Sequence, residues 1–497
     1  MAAARACADP LAALASGLIG EGVEIPGPFG PCPLVYADYT ASGRAMAQVE
    51  DFIRDHLLPF YANSHTEASF CGGHVTRMRR AARAAIARLC GADGDHAVIF
   101  AGSGATAGVN RLVALLGADG RSGPARVILG PWEHHSNLLP WRESGAEVVE
   151  LGEDAAGGPD RAELAEALAT ARPGMRVICA FSAASNVTGE IADVAGLTAQ
   201  VKAAGARMVW DYAGGGPYLP IRMTQDGGAG AAAIDAVVVS PHKFPGGPAA
   251  SGVLILRRDA VVIGRPSQPG GGTVRFVSGA GHDYSTSLEA REEAGTPDVI
   301  GDIRAALAFI VKDTIGEERM AARNAALFQK AQARWQDLPG LALLGPATRP
   351  RLPIFSFRLR DGRGGWVHQQ LVTRVLSDLY GIQARGGCAC AGPWVHRLLG
   401  IGAAESARLR AAILAGDELS KPGFTRLNLS VLMGPDKISH ILESVAALSA
   451  GAPALAGHYR VDPAQAIFSP RAPDEGAGAE AGAETGKDFP ASAFRPA

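Results

Sequence analysis

The sequence predicts an α/β protein, with a mainly parallel sheet in a large domain and a smaller α+β domain after it. Three observations lead there. Between His96 and Arg258, short apolar runs rich in Val, Ile and Leu alternate with stretches of helical spacing, the pattern of repeated βαβ units. Residues able to do chemistry stand where those runs end, as at the carboxyl ends of parallel strands. A chain of 497 residues also exceeds what one compact core organises, so two domains are expected.

Composition narrows the function. Hydrophobic content of 47% with 19% charged residues is that of a globular chain. A formal net charge of −2 argues against a nucleic-acid partner. Arg77, Arg79, Arg80, Arg83 and Arg88 do cluster, but Met78, Ala82, Ile86 and Leu89 interleave at helical spacing, so a solvated face of an amphipathic helix is expected. No uninterrupted apolar run reaches about 18 residues, so no membrane span is expected. Asp9-Pro10 interrupts the apolar N-terminus, which speaks against a signal peptide. Seven cysteines, odd in number and mostly scattered, do not form a secreted disulfide framework, and a cytoplasmic location is expected.

Taken in order, residues 1–35 read as an N-terminal segment with a helix from Leu11 to Ile19 and a Pro/Gly-rich lead-in. A large domain is expected over 36–310. His96 to Phe100 reads as a strand, followed by the glycine loop Ala101-Gly102-Ser103-Gly104-Ala105-Thr106 and an apolar helix through Leu116. Such a loop offers free N–H groups and a positive dipole end to a phosphate. Gly102-x-Gly104-x-x-Ala107 also fits a dinucleotide fingerprint, which needs an acid about 20 residues on, at the end of the next strand. That strand, Arg126 to Leu129, leads only to Glu133, and the fit is poor.

Glu133-His134-His135-Ser136-Asn137 follows. A histidine pair can signal metal, but adjacent positions on an extended segment diverge and no third and fourth ligand stands nearby, so no metal is expected. Val177 to Phe181 is the next buried strand and leads to Asn186, whose plain reading is an Asx turn. Arg207 to Trp210 ends at Asp211. Val237 to Val239 is stopped by Pro241, and Val253 to Leu256 resumes after Ser251-Gly252. Between these two strands sits Lys243.

That lysine is unusual, since only seven of the 47 basic residues are lysine. Its amine could simply snorkel out of a strand end. A partly desolvated amine, however, has a depressed pKa and suits Schiff-base chemistry. Asp211 at the preceding strand end favours the second reading. A carboxylate can hold a pyridinium proton while the lysine holds the aldehyde of pyridoxal 5'-phosphate (PLP).

A long helix is expected over 303–336, leading out of the large domain, and a small domain over 311–457. The latter carries Arg385-Gly386-Gly387-Cys388-Ala389-Cys390-Ala391-Gly392-Pro393, an inserted helical segment over 395–421, and Thr425-Arg426. Residues 458–497 are Ala/Gly/Pro/Glu-rich and read as a disordered tail.

Ser240-Pro241-His242-Lys243 resembles the Ser-x-His-Lys of class V, fold-type I PLP enzymes, the cysteine desulfurase and selenocysteine lyase group. Further elements follow in that family's order from about Tyr36 to Leu448. The resemblance implies a seven-stranded sheet, PLP on Lys243, His134 stacked on its ring, Asn186 at the ring hydroxyl oxygen and Asp211 at the ring nitrogen. It assigns the cofactor phosphate to Gly104, Ala105, Thr106, Ser240 and His242. Glu293-Ala294-Gly295-Thr296-Pro297 is similar to a segment whose threonine reaches the phosphate of a second subunit, so Thr296 and a homodimer are implied. Arg426, helped by Arg385, matches the carboxylate-binding arginine, and Asn63 and His65 match a loop near the substrate.

Cys390 matches the persulfide-forming cysteine of Arg-x-x-x-x-Cys-Ala-x-Pro. Its thiolate would take sulfur from bound L-cysteine, leaving L-alanine, and a sulfur-acceptor protein becomes a partner to expect. Three departures stand out: Gly214 where a glutamine is common, Ala389 before the nucleophile where a polar residue is usual, and an extra thiol, Cys388. Cys388-x-Cys390 with His396 falls short of a metal ligand set. The alternative is a class V PLP enzyme acting on another amino acid, as aminotransferase, epimerase or lyase, without sulfur transfer. A PLP-fold binding protein without catalysis sits poorly with intact Lys243, Asp211 and His134.

Overall fold

The computed structural model describes residues 9–64, 66–227 and 230–471. Its central sheet has seven strands: β1 (His96–Gly102), β2 (Ala125–Leu129), β3 (Glu147–Glu150), β4 (Arg176–Ser182), β5 (Arg207–Asp211), β6 (Ala236–Val239) and β7 (Gly252–Arg257). They lie in the order β1-β7-β6-β5-β4-β2-β3. The run from β6 to β3 is parallel, whereas β7 is antiparallel to both its neighbours.

The apolar runs explain this layering. Val237 and Val239 face one side of the sheet with Ile86, Ile303 and Phe309, and Val238 faces the other with Val109 and Leu112. Alternate side chains of a strand point to opposite faces, so three consecutive valines fill two cores. Each is fully buried, which contributes about 1.5–3 kcal/mol per side chain. The first core is covered by α1 (Phe70–Leu89) and α3 (Val299–Ile315), and the second by α2 (Gly104–Leu115).

The C-terminal part has an antiparallel sheet in the order β8 (Leu341–Leu343), β9 (Ile354–Leu359), β11 (Phe424–Asn428), β10 (Arg385–Gly387). Trp335, Phe355 and Phe357 form its core with Leu371 of α5 (Gln369–Tyr380) and Val445 of α8 (Pro435–Leu455). By length and composition α8 could cross a membrane. Its Ile441, Leu442, Val445 and Leu448 are instead buried in this core, the arrangement of a core helix.

Several expectations are corrected. The single helix over 303–336 is two, α3 and α4 (Glu317–Trp335), because Gly316 adopts φ +85 between them. The segment from 36, expected to open the large domain, packs with the small one: Val35–Tyr36 pairs in parallel with Ile382–Gln383, and Ala37 and Tyr39 join its core. The N-terminal helix is shorter, Pro10–Ala15, capped by the Asp9 carboxylate at Leu11 N and Ala12 N. The tail does not start at 458. Tyr459–Asp462 and Ile467–Pro470 form a hairpin, anchored by buried Tyr459 donating to Asp378 Oδ2 at 3.1 Å. The remainder of the tail, 472–497, lies outside the described residues. The arginines of α1 are not all solvated either. Arg79 and Arg83 turn inward onto Glu293, and Arg79 also reaches Asp302. The expected insertion over 395–421 is helical, with α6 (Gly392–Leu399) and α7 (Ala403–Leu414).

Candidate active site

Parallel strands all end on one side of their sheet, and here five such ends carry the expected residues. β1 leads to Gly104, β2 to His134, β4 to Asn186, β5 ends in Asp211, and β6 leads to Lys243. The register sets Ser182, Asp211 and Val238 side by side on three neighbouring strands. Thr40, Arg385, Cys390 and Arg426 close the other side, giving a cavity of about 290 Å³.

The glycine loop makes an anion cradle. The Ser103 side chain does not cap its own end of α2, and no acid lies in the first turn, so the positive dipole end is left for an anion in the cavity. Gly104 has φ +59, and a Cβ there would meet His242 Cε1 and Ser240 Oγ at 3.0 Å. Ser240 Oγ accepts from Ala105 N at 2.9 Å, tying the lysine turn to the loop. Burial and the Lys243 charge bring the His242 imidazole down to about 4.

Lys243 is half-buried by accessible surface because it faces the cavity. Protein encloses it on its other sides, and this burial, with Arg426 and Arg385 nearby, brings its amine down to about 8. Asp211 opposes that shift. Its own carboxyl is pushed up by burial, with Ala213 N, at 2.7 Å, as its hydrogen-bond donor.

His134 is held by a short chain of hydroxyls. Thr106 Oγ1 donates to Ser136 Oγ at 2.7 Å, and His134 Nδ1 accepts from Ser136 N at 3.1 Å. Burial, then the positive charges of Lys243 and its neighbours, brings this imidazole down to about 4. It is therefore neutral at pH 7, with its proton on Nε2. Behind it, the buried Glu133 carboxyl accepts from Ser182 N, Ser182 Oγ and Asn137 Nδ2, and burial pushes it up to about 7.

The nucleophile candidate sits on a strained turn. Ala389 and Cys390 both have positive φ, 50 and 53, at a cost of about 1–2 kcal/mol each for non-glycine residues. Ala391 N donates to Cys388 O at 3.2 Å, closing a turn of the type that normally carries Asn-Gly. Three bonds hold it: Asn186 Nδ2 to Ala389 O at 2.8 Å, His135 N to Cys390 O at 2.8 Å, and Gly392 N to His135 Nε2 at 3.0 Å.

One carboxylate organises the arginines. Asp38 accepts from Arg385 Nε at 2.9 Å and from Arg426 Nη2 at 3.3 Å, while Arg426 Nη1 donates to Asn186 O at 3.0 Å. Burial lowers the Arg426 pKa, and Asp38 works against that shift.

The Aminotransferase class-V family profile matches residues 35–415. The chain belongs to the class-V aminotransferase family. Among relatives, a cysteine desulfurase from Pectobacterium atrosepticum is 30% identical over 368 residues, covering 73% of this chain and 85% of the relative. One from Enterobacter sp. (strain 638) is 29% identical over 367 residues with the same coverage. The apo structure of a cysteine desulfurase from Thermococcus onnurineus NA1 superposes with TM-score 0.68 at 22% identity, over 84% of this chain and 95% of that one. A cysteine desulfurase from Escherichia coli gives 0.64 at 23% identity, over 83% and 93%. These two solved structures establish the fold, fold-type I.

The cavity fits the cofactor implied for a class-V chain. PLP needs an anion cradle, and Gly104, Ala105, Thr106, Ser240 and His242 make one. A buried carboxylate such as Asp211 suits a protonated ring nitrogen, and a partly desolvated amine such as Lys243 suits an aldehyde. Buried Asn186 Oδ1 has no partner among the described residues, which leaves this amide incompletely satisfied beside the cavity.

Not every expected residue is here. Asn63 lies on an exposed loop and does not line the cavity; Thr296, expected to serve a second subunit's site, is exposed and outside the cavity of its own chain. His65 lies outside the described residues. At Gly214 a Cβ would come within 3.1 Å of Ala184 O, so close packing accompanies the loss of a long side chain there. The sequence reading missed Asp38, Ser136 and the His135 staple. No local pattern marks Asp38 as the partner of Arg426.

Proposed function

We propose that this chain is a PLP-dependent cysteine desulfurase, moving sulfur from L-cysteine onto Cys390 and releasing L-alanine. The observation that carries this is Cys390 on a pinned turn, lining the same cavity as Lys243 and Arg426. The names of the relatives support it.

Bound PLP would supply an electron sink for bond breaking at the substrate Cα and Cβ. Lys243 Nζ would hold the cofactor aldehyde, and as a free amine it is positioned to move the proton at the substrate Cα. Arg426 and Arg385 pair with the substrate carboxylate, which fixes the direction in which the side chain projects. His134 presents a neutral ring face, and Asp211 keeps a counter-charge at the buried end. Cys390 Sγ is the nucleophile. An S–S bond forms to the substrate sulfur as the substrate Cβ–S bond breaks, and the carbon fragment, once protonated, is alanine.

The test is purified holoenzyme with L-cysteine, assayed for alanine and sulfide in parallel. Cys390→Ser should keep the cofactor spectrum and its substrate-induced shift while losing alanine formation, because a hydroxyl is too weak an acid to supply an anion at neutral pH. A wild type that ignores cysteine and transaminates another amino acid would replace this reading with the alternative one.

A further inference from the structure

Cys388 is the thiol that the desulfurase reading leaves without a task. It is half-buried at the edge of the large-domain core and does not line the cavity, so substrate reaches Cys390 and not Cys388. Yet the two are positions one and three of a single turn, closed by Ala391 N donating to Cys388 O. Two residues of chain span at most about 7 Å, and a disulfide takes Cα atoms roughly 4.4–6.8 Å apart. Cys32, Cys90 and Cys179 are buried and Cys71 lies in α1. Among the described residues no group of three or more His, Cys, Asp or Glu side chains could hold a metal ion.

The turn also has a reason to move. Its central residues, Ala389 and Cys390, hold left-handed backbone without a glycine, and bonds from Asn186 and His135 add to the turn's own Ala391 N to Cys388 O bond in keeping them there. Asn186 lines the cavity and His135 follows the cavity residue His134, so the strained state is tied to the site by contacts from outside the turn. Release of those contacts would relieve the positive φ at both residues and let Cys390 turn from the cavity toward Cys388.

We propose that Cys388 is a resolving thiol, resting on the desulfurase reading above. Its thiolate attacks the inner sulfur of the Cys390 persulfide. The Cys388 Sγ–Cys390 Sγ bond forms, the bond from Cys390 Sγ to the outer sulfur breaks, and the outer sulfur leaves as hydrosulfide. Two cysteine thiols are oxidised to a disulfide and the transferred sulfur is reduced. The Cys388 proton goes to solvent or to the departing sulfide. No external oxidant is needed. A dithiol reductant restores the pair before the next turnover, so the chain would release free sulfide and stop after one cycle without reductant.

The experiment uses reduced holoenzyme, desalted to remove thiols and given L-cysteine. Alanine, sulfide and intact protein mass are measured after one turnover. Wild type should release one sulfide per alanine and become two hydrogens lighter, with the peptide containing both cysteines disulfide-linked. In Cys388→Ser the sulfur should stay on the protein, one sulfur atom heavier, with sulfide release lowered at least tenfold. Cys388→Ala repeats the measurement with no hydroxyl in the half-buried position. Alanine formed with a stable persulfide in wild type, or sulfide release from the Cys388 variants equal to that of wild type, overturns this step alone. No alanine from wild type overturns the desulfurase reading and this step with it.

Discussion

Replacing Asp38 by Asn should lower stability and tighten substrate binding at once. The carboxylate is shared by Arg385 and Arg426, and Arg426 is 4% exposed. Removing the counter-charge of a buried ion costs about 3–5 kcal/mol. An asparagine oxygen keeps one contact, and Arg426 keeps its bond to Asn186 O. The Arg385 side chain is 55% exposed, so its half of the pair adds under about 1 kcal/mol. The expected loss is about 3 kcal/mol, a thermal midpoint lower by several degrees. Substrate feels the opposite effect. A carboxylate on the far side of a guanidinium from Asp38 sits roughly 6–8 Å from it and is repelled by about 2 kcal/mol at an effective dielectric of 20. With water in the cavity, about 1 kcal/mol of relief remains, so KM should fall about fivefold. Thermal melts and steady-state kinetics read the two quantities separately. An Asp38→Asn protein with an unchanged midpoint and a raised KM would refute the reasoning, since Asp38 would then be aiming the arginines rather than restraining their charge.

Three further outcomes are expected. Capture of the aldehyde needs the neutral Lys243 amine, which burial brings to about 8. The rate at which apoprotein turns yellow with PLP should therefore climb as pH rises through about 8 and level off above it. An inflection near 10.5 would show that burial does not govern the amine. Gly104→Ala forces a Cβ against His242 and Ser240 at positive φ; a strain of about 1–2 kcal/mol should weaken cofactor retention roughly tenfold in equilibrium dialysis while far-UV circular dichroism is unchanged. Thr296 is exposed and away from the cavity of its own chain, so Thr296→Ala should speed cofactor loss only through a second subunit. A sedimenting dimer with unchanged cofactor retention would reject that role.

The sheet and its strand-end residues were legible because their signals are local. Val237 to Val239, stopped by Pro241, could be read as a doubly buried strand with Lys243 at its end. Asp211 was legible for the same reason. What stayed hidden depends on distance along the chain. Asp38 meets Arg426 across 388 residues, and a loop acid carries no periodic pattern to announce it. The Ser136 bond to Thr106 and the His135 grip on the Cys390 turn are likewise products of tertiary approach. Gly316 could have been suspected as a helix break, but one glycine inside strong helical spacing is usually tolerated. The hairpin after His458 was masked by composition, since Tyr459 and Ile467 are thinly spread apolar residues before a tail of Ala, Gly and Glu.

The antiparallel strand β7 has a consequence for when the protein becomes competent. Among the described residues β1 pairs with β7 alone, with Val98 opposite Ile255, and Gly252 passes so close to Gly104 O that a Cβ would lie 2.1 Å from it. As the chain leaves the ribosome, the phosphate cradle therefore has no bordering strand until more than a hundred further residues have emerged. Those residues bring Asn186, Asp211 and Lys243 with them. A nascent chain thus has no half-built site to lure the cofactor early. Long-range pairing is the slow part of such a fold, so the cradle and the lysine turn are expected to come together late.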